Sequence, residues 1–512
     1  MIKEKISNIA VKIFYIVFSI ILAFTVYNCI FNNANIFIEY NVIIICIGVI
    51  LLSAILLCIY NIFNKKKFKS KIFVISCMTI LIIVQLIFAY FFAVKPSWDF
   101  GAVYDSAVSS VNNQLSIFDN EYFYKYTNNI PLAIVLKVVY EFFNIINIYK
   151  FNVIGILLNI VLIDIGVFFT YLIAKEIFNE KKAMFVLTLL CLMTPIITYV
   201  PIYYTDTVSI PFLVTAIYCI IKANNVNKNK NKIFLFSLAG ILLCIGTMIK
   251  ITVCIFLVAY IIGLILYSKN IIKQKYNLVM VVIFGILYIL QGIYINGNFD
   301  REKLDEIKFP YTHWLMIGAQ GNGGYNHDDV KYTETFKTEK EKVNANIDMI
   351  KTRIYDLYKS NRLIEFYTNK LVVTWGDGTY FAPEKLSRDP VNSTRLQEYV
   401  LADGKYKQYY LYFSQIMQIT ILLFILISLI RDIYSKENDM YRFSLSLAMF
   451  GIMLFLMIWE TRSRYIVNYI PIFILLTTYG IDCIYNIRYK VILNKVSITN
   501  MLNSIQKVIK ND

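Results

Sequence analysis

The stretch Pro131-Leu-Ala-Ile-Val-Leu-Lys-Val-Val-Tyr-Glu-Phe-Phe-Asn-Ile-Ile-Asn-Ile-Tyr149 decides how the rest of the chain is threaded. It is apolar and 19 residues long, the length of a membrane-crossing helix. Lys137 and Glu141 stand four apart within it. Such a pair is costly at mid-membrane but stabilising on a helix surface. Only Lys150 separates the stretch from the next apolar run. If it crossed, every later loop would change sides, and 18 Lys and Arg would move to the outer face. The bias of basic residues towards the inner side opposes that. The stretch therefore reads as an amphipathic helix lying along the outer interface.

Three apolar runs precede it (13–31, 41–63, 72–94) and nine follow (152–174, 183–200, 208–222, 233–249, 251–268, 276–296, 412–430, 443–459, 465–486). Each is at or near the length that crosses a hydrocarbon core of ~30 Å. The expectation is an all-α polytopic membrane protein of about 12 transmembrane helices, with outer interfacial helices and a large outer loop domain. Along the chain this gives N-terminal transmembrane helices (1–94), a first outer loop with the interfacial helix (95–150) and a transmembrane core (151–296). A large extracytoplasmic loop region (297–411), C-terminal transmembrane helices (412–486) and a basic cytoplasmic tail (487–512) follow. Met1 to Phe31 lacks a small-residue cleavage site and reads as a retained helix rather than a signal peptide.

A chain of 512 residues has the length of roughly three soluble domains. Yet 58% of it is hydrophobic and only 16% charged, with a mean hydropathy of +0.59. The net charge of +16 would suggest nucleic acid if it were clustered on a soluble face. Instead, the seven inner loops and termini hold 26 Lys and Arg against seven acids, whereas loops 32–40 and 201–207 hold no Lys or Arg. Segment 297–412 balances 17 basic with 17 acidic residues. The excess is a topology signal with both termini inside, not a nucleic-acid footprint. All nine cysteines lie within or at the ends of apolar runs and form no CxxC pair, which argues against disulfides and a zinc ribbon. The Ile, Asn, Lys and Tyr bias points to an AT-rich bacterial genome.

The unusual polar residues gather at the outer ends of the runs. Trp98-Asp99 opens the first outer loop between interface-anchoring aromatics, with Tyr104 and Asp105 just beyond. Asp99 either caps a short helix or serves as a base in a partly desolvated position. Tyr204-Thr205-Asp206 lies in an outer link of about seven residues, so Asp206 sits at the bundle rim, again as a cap or as a working carboxylate. Glu460-Thr461-Arg462-Ser463-Arg464-Tyr465 joins the last two runs. Its arginines suit phosphate oxygens, and an internal Glu–Arg bridge is the alternative. Lys250 either offers a point charge to phosphate or snorkels. Asp164 lies deeper and reads as a structural polar partner. In the long loop, Val343, Ile347, Ile350, Ile354 and Leu357 mark a helix face. Gly318, Gly321, Gly323 and Gly324 shape turns and lack the Lys-Ser/Thr of a P-loop. His313 and His327, with Asp328 and Asp329, make a weak case for a metal site.

The ordered set of Trp98-Asp99, Tyr126 to Pro131-Leu132, Tyr204-Thr205-Asp206, Lys250 and Glu460 to Tyr465 resembles the GT-C membrane glycosyltransferases. Within that superfamily it is most similar to the bacterial glycosyltransferase family 39 group, related to protein O-mannosyltransferases and aminoarabinose transferases. The resemblance covers about 90–295 and 440–486, and two extra runs before Trp98-Asp99 depart from the commonest layout. It implies a polyprenyl-phosphate sugar donor and inverting transfer to a surface glycan, teichoic acid, glycolipid or protein. It also implies a bacterial plasma membrane, with the active site on the extracytoplasmic face. Asp99 would be the general base, and Asp206 would position the acceptor or hold a divalent cation. Arg462, Arg464 and Lys250 would bind the donor phosphate, supported by Trp98, Tyr104, Asp105, Tyr204, Glu460 and Tyr465. Loop residues His313, Trp314, Tyr325, Trp375 and Asp377 would meet the acceptor. A polysaccharide ligase or polymerase, and a lipid-linked sugar flippase, are the alternative readings. The topology predicts that cysteines introduced near Asp99, Asp206 and Arg462 are labelled by an impermeant thiol reagent from outside only. Labelling of any one from inside would overturn it.

Overall fold

The computed structural model describes residues 2–32, 37–268, 274–435 and 439–487. The tail expected at 487–512 lies outside the described residues apart from its first, as do parts of loops 269–275 and 431–442. Among the described residues all regular elements are helical, and the one strand-like feature is an isolated bridge between Val94 and Pro390.

Helices α1 (Ile2–Phe31), α2 (Val42–Lys65) and α3 (Ser70–Phe92) open the chain. Two shorter ones follow, α4 (Trp98–Val111) and α5 (Ile130–Ile145). Next come α6 (Phe151–Ile177), α7 (Glu180–Leu192), α8 (Thr205–Asn225), α9 (Asn229–Ile249), α10 (Val253–Tyr267) and α11 (Lys275–Gly297). The long loop contains α12 (Tyr311–Gly318), α13 (Glu339–Lys359), α14 (Leu363–Trp375) and α15 (Ala382–Leu386). Helices α16 (Lys407–Tyr434), α17 (Met440–Ile458) and α18 (Ser463–Ile487) complete the bundle. Among the described residues ten helices are long and apolar enough to cross a membrane, which makes the chain a multi-pass membrane protein.

The other two of the twelve expected runs are shorter helices. Helix α10 has 15 residues and α7 has 13, a rise of only ~20 Å for each. Pro195 explains the second: it lacks an N–H and its ring conflicts with the carbonyl four residues back, so the helix breaks at Met193 and resumes as Thr194–Thr198. Between α9 and α10 the chain is extended at Lys250, with φ −149° and ψ 112°.

Helix α5 has 16 residues, too short to cross. It packs Leu132, Leu136 and Tyr140 inward against α4, while Val138, Phe142 and Ile145 are exposed. Lys137 and Glu141 pair at 3.5 Å. This composition is that of an interfacial helix, apolar on both faces with a charged stripe between.

Helices α8, α16 and α18 lie mostly inside the bundle, whereas α11 is peripheral and has few fully buried residues. Helix α18 opens as 3₁₀ turns (Ser463–Tyr469), which turn Arg464 inward. At Gly480 it meets α16 backbone to backbone, where an added Cβ would fall on the carbonyl oxygen of Phe424. Gly480→Ala should therefore lower the thermal midpoint in detergent, the equivalent of about 1–3 kcal/mol. Gly285→Ala, in α11 with nothing within 4 Å, should leave it unchanged or raise it.

Candidate active site

Asp99 lies in the first turn of α4, one residue after Trp98 and two after the N-cap Ser97. It is thus not the helix cap, although its charge suits the helix N-terminus. Trp98 has φ 49°, a left-handed conformation that costs a non-glycine residue about 1–3 kcal/mol. The contacts of its ring hold it there: Tyr204 at 4.8 Å, the Arg464 guanidinium at 4.8 Å and the Lys385 ammonium at 3.8 Å.

Asp206 lies in the first turn of α8 and is buried. Its Oδ1 accepts from Lys250 and its Oδ2 from Arg464 at 3.1 Å. Lys250 reaches it from the extended α9–α10 joint and Arg464 from the start of α18. Tyr465 places its ring beneath both cations, 5.6 Å from Lys250 and 4.8 Å from Arg464. Two cations around one carboxylate leave a single positive charge in a desolvated place. With both oxygens engaged, Asp206 does not fit the role of a divalent-cation ligand. Among the described residues no three His, Cys, Asp or Glu side chains gather into a metal site.

The alternative of a Glu–Arg bridge in the last link is not what forms. Glu460 accepts a bond from Tyr465 Oη at 2.6 Å, and its backbone N–H donates to Trp314 at 3.0 Å. Burial raises its carboxyl pKa. Arg462 lies over the Phe381 ring at 5.4 Å and enters no ion pair among the described residues.

These residues surround one cavity of about 880 Å³, a size suited to a ligand-binding cleft. Trp98, Asp99, Tyr204, Asp206, Lys250, Glu460, Arg462, Arg464 and Tyr465 line it, together with His313, Trp314 and Tyr325 from the long loop. Burial pulls His313 down to about 4, so it is neutral, and its Nδ1 lies 2.8 Å from Thr333 Oγ1. Membrane-side residues of α9, α11 and α17, such as Met248, Tyr288, Ile295 and Phe455, form an apolar wall.

Four expected site residues lie elsewhere. Tyr104 packs against Tyr140 and Tyr203, and Asp105 is exposed further along α4. Trp375 is fully buried against Phe473. Asp377 shapes the cavity wall from behind, accepting from Thr379 N–H (3.0 Å), Thr379 Oγ1 (2.6 Å), Phe381 N–H (2.8 Å) and Ser463 Oγ (2.6 Å). That turn holds Tyr380 and Phe381 at φ 55° and 67°. Nor do the two histidines converge: His327 is exposed, and Asp329 pairs with Arg353. Asp164 lies in α6, outside the cavity lining.

The sequence reading missed Lys385, Arg388, Phe381, Tyr122 and Asn129, which also line the cavity. Tyr204 Oη donates to Asn129 Oδ1 (3.0 Å), and Asn129 Nδ2 donates to Tyr122 Oη (2.6 Å). The Tyr122 hydroxyl in turn meets the Asp99 carboxylate. The only local signal for the basic pair was the spacing of Lys385 and Arg388, one helical turn apart.

A family profile described as "conserved hypothetical integral membrane protein" matches residues 2–484. No curated protein matches the chain. Among solved structures it is similar to the archaeal oligosaccharyltransferase AglB from Archaeoglobus fulgidus in complex with an inhibitory peptide and a dolichol-phosphate. That likeness has a TM-score of 0.45 at 11% identity, covering 84% of this chain and 52% of the other. The chain thus spans about half the length of that structure, and a likeness at this level carries no functional argument. The Asp206 cluster itself is testable: Asp206→Ala should cost about 3–5 kcal/mol, because it strands two buried cations. Adding Lys250→Met should recover part of the thermal midpoint in detergent; no recovery would mean that the pair is not the source of the loss.

Proposed function

The chain belongs to this family of conserved integral membrane proteins, and from that premise we propose that it is a glycosyltransferase acting on a polyprenyl-phosphate sugar. The observation that carries the reading is the composition of the cavity. Five cations (Lys250, Lys385, Arg388, Arg462, Arg464) and three carboxylates (Asp99, Asp206, Glu460) share one space beside an apolar wall. A ligand with an anionic head and a long apolar tail matches that division. The tail lies against α9, α11 and α17, and the phosphate lies among the cations.

Of the three carboxylates, Asp206 is neutralised by its two partners and Glu460 is buried on Tyr465. Asp99 is half-exposed and enters no ion pair among the described residues. It is therefore the base of the reading. The acceptor hydroxyl gives its proton to Asp99 while its oxygen attacks the anomeric carbon from the side opposite the phosphate. The bond from that carbon to the phosphate oxygen breaks, and its electron pair leaves with the lipid phosphate. Arg464, Arg462 and Lys250 stabilise the charge that develops there. Asp206 acts through Arg464 and Lys250 by fixing their positions. Trp314 and Trp459 stack with rings 8° from parallel at the cavity edge and offer flat faces to an acceptor sugar. The charge asymmetry of the loops supports an extracytoplasmic position for this chemistry. The acceptor is a hydroxyl of a surface glycan, teichoic acid, glycolipid or protein.

The test is release of free polyprenyl phosphate from a panel of labelled undecaprenyl-phosphate sugars, with a native membrane extract as acceptor. Wild type should release it from one donor, and Asp99→Asn should be slower by about 10²–10⁴-fold. Equal release by the variant would remove Asp99 as base. No release from any donor would favour a ligase or a transporter instead.

A further inference from the structure

Lys250 and Arg464, the cations best placed by sequence to hold a phosphate, already share the Asp206 carboxylate. Lys385 has no such partner. It is 6% exposed and lines the cavity, and its side chain enters no hydrogen bond or ion pair among the described residues. Its ammonium rests 3.8 Å from the centre of the Trp98 ring and 5.6 Å from that of Phe381. Arg462 occupies the other approach to Phe381, at 5.4 Å. Buried cations are ordinarily paired with acids; this one is held by ring faces and turned towards an open cavity.

We propose that Lys385, flanked by Arg462, is a further group that receives the phosphate of the lipid ligand, beside the Asp206-held pair Lys250 and Arg464. This rests on the polyprenyl-phosphate reading above and deepens it. Trp98 and Phe381 hold the lysine in place without pairing it to an acid, so its amine stays free to meet a phosphate oxygen and to become charged on doing so. Both rings stand on strained left-handed residues, so the platform is built by tertiary contacts rather than by local preference.

A second consequence concerns protons. Besides Arg462, four charged groups act on Lys385: Arg464 from α18, Arg388 beyond its own helix, Asp206 from α8 and Asp99 from α4. Arg388 is itself paired with Glu384 at 3.1 Å. Burial, with Arg464 and Arg388 adding to it, lowers Lys385 to about 6. At neutral pH the empty site therefore holds mostly the uncharged amine. An arriving phosphate favours the ammonium, so binding draws one proton from solvent. The sign follows: the lysine's contribution to affinity is full below about pH 6 and is lost as pH rises above it, by up to about tenfold per unit. The ligand's own second ionisation, near pH ~6, is complete above pH ~7 and does not oppose this trend there.

Calorimetric titration of the full-length protein in detergent with a short-chain polyprenyl phosphate tests this. Measurements run from pH 7 to 8.5 in two buffers of different ionisation heat. Wild type should take up close to one proton and bind more weakly as pH rises. Lys385→Met should weaken binding by about ten- to a hundredfold at pH 7 and abolish the uptake. Lys385→Arg, charged throughout, should bind with no uptake and a flat pH profile. The arginine variant also shows whether the site folds with a cation present. Polyprenol without phosphate should bind the three proteins equally, and inorganic phosphate should show the same order of variants as the lipid, more weakly. Wild-type affinity in Lys385→Met, or proton uptake persisting in Lys385→Arg, would overturn the assignment and leave the transferase reading standing. Loss of polyprenol binding in Lys385→Met would overturn it as well, since the effect would then be structural. Failure of wild type to bind the lipid phosphate at any pH would remove the donor reading and this inference together.

Discussion

The end of the bundle that carries the cavity depends on one desolvated carboxylate. Asp206 is bound to Lys250, 44 residues away in sequence, and to Arg464, 258 residues away. None of the three is stable alone in that place, because a buried charge without a partner costs several kcal/mol. Together they tie the start of α8, the joint between α9 and α10 and the opening of α18 to one point. The extended backbone at Lys250 and the 3₁₀ turns around Arg464 are the local adjustments that let both side chains reach it.

Around this cluster the chain stores strain in three aromatic residues. Trp98, Tyr380 and Phe381 all adopt positive φ without being glycine. Asp377 holds the last two with bonds to its own turn and fastens that turn to Ser463, next to Arg464. Trp98 is held by Tyr204 and by the cations on its ring. The cavity thus has rigid aromatic faces carrying cations, beside a carboxylate that keeps access to the open space. That division between neutralised, buried and accessible charge gives the proposed reaction its direction, with a proton leaving towards Asp99 and negative charge developing towards the cations.

Much of the architecture was legible before any coordinates. Apolar runs, basic loops and the Lys137–Glu141 pair in α5 are local signals, set by the cost of placing each side chain in hydrocarbon. Asp99, Asp206, Lys250, Glu460, Arg462 and Arg464 stood out for the same reason, as charges at the ends of apolar runs. Lys385, Asn129 and Tyr122 did not, because a polar residue in a polar loop is unexceptional there. Trp375 and Asp377 read in the sequence as exposed loop residues open to an acceptor. Their actual places depend on Phe473 and Ser463, nearly a hundred residues further on. Tyr104 and Asp105 follow Asp99 by a turn or more of α4, which turns them away from the cavity lining.

By itself the sequence determined that this is a helical multi-pass membrane chain, where most of its helices run, and which ends gather the chemistry-bearing residues. Those properties follow from transfer energies that act residue by residue. Only the tertiary structure decided that Asp206 is neutralised, that Asp99 faces open space, and that Lys385 is a buried cavity lysine with no acid paired to it among the described residues. Those outcomes depend on contacts of about 3–4 Å between residues far apart in the chain, and charge interactions in a desolvated site are set by such distances rather than by composition.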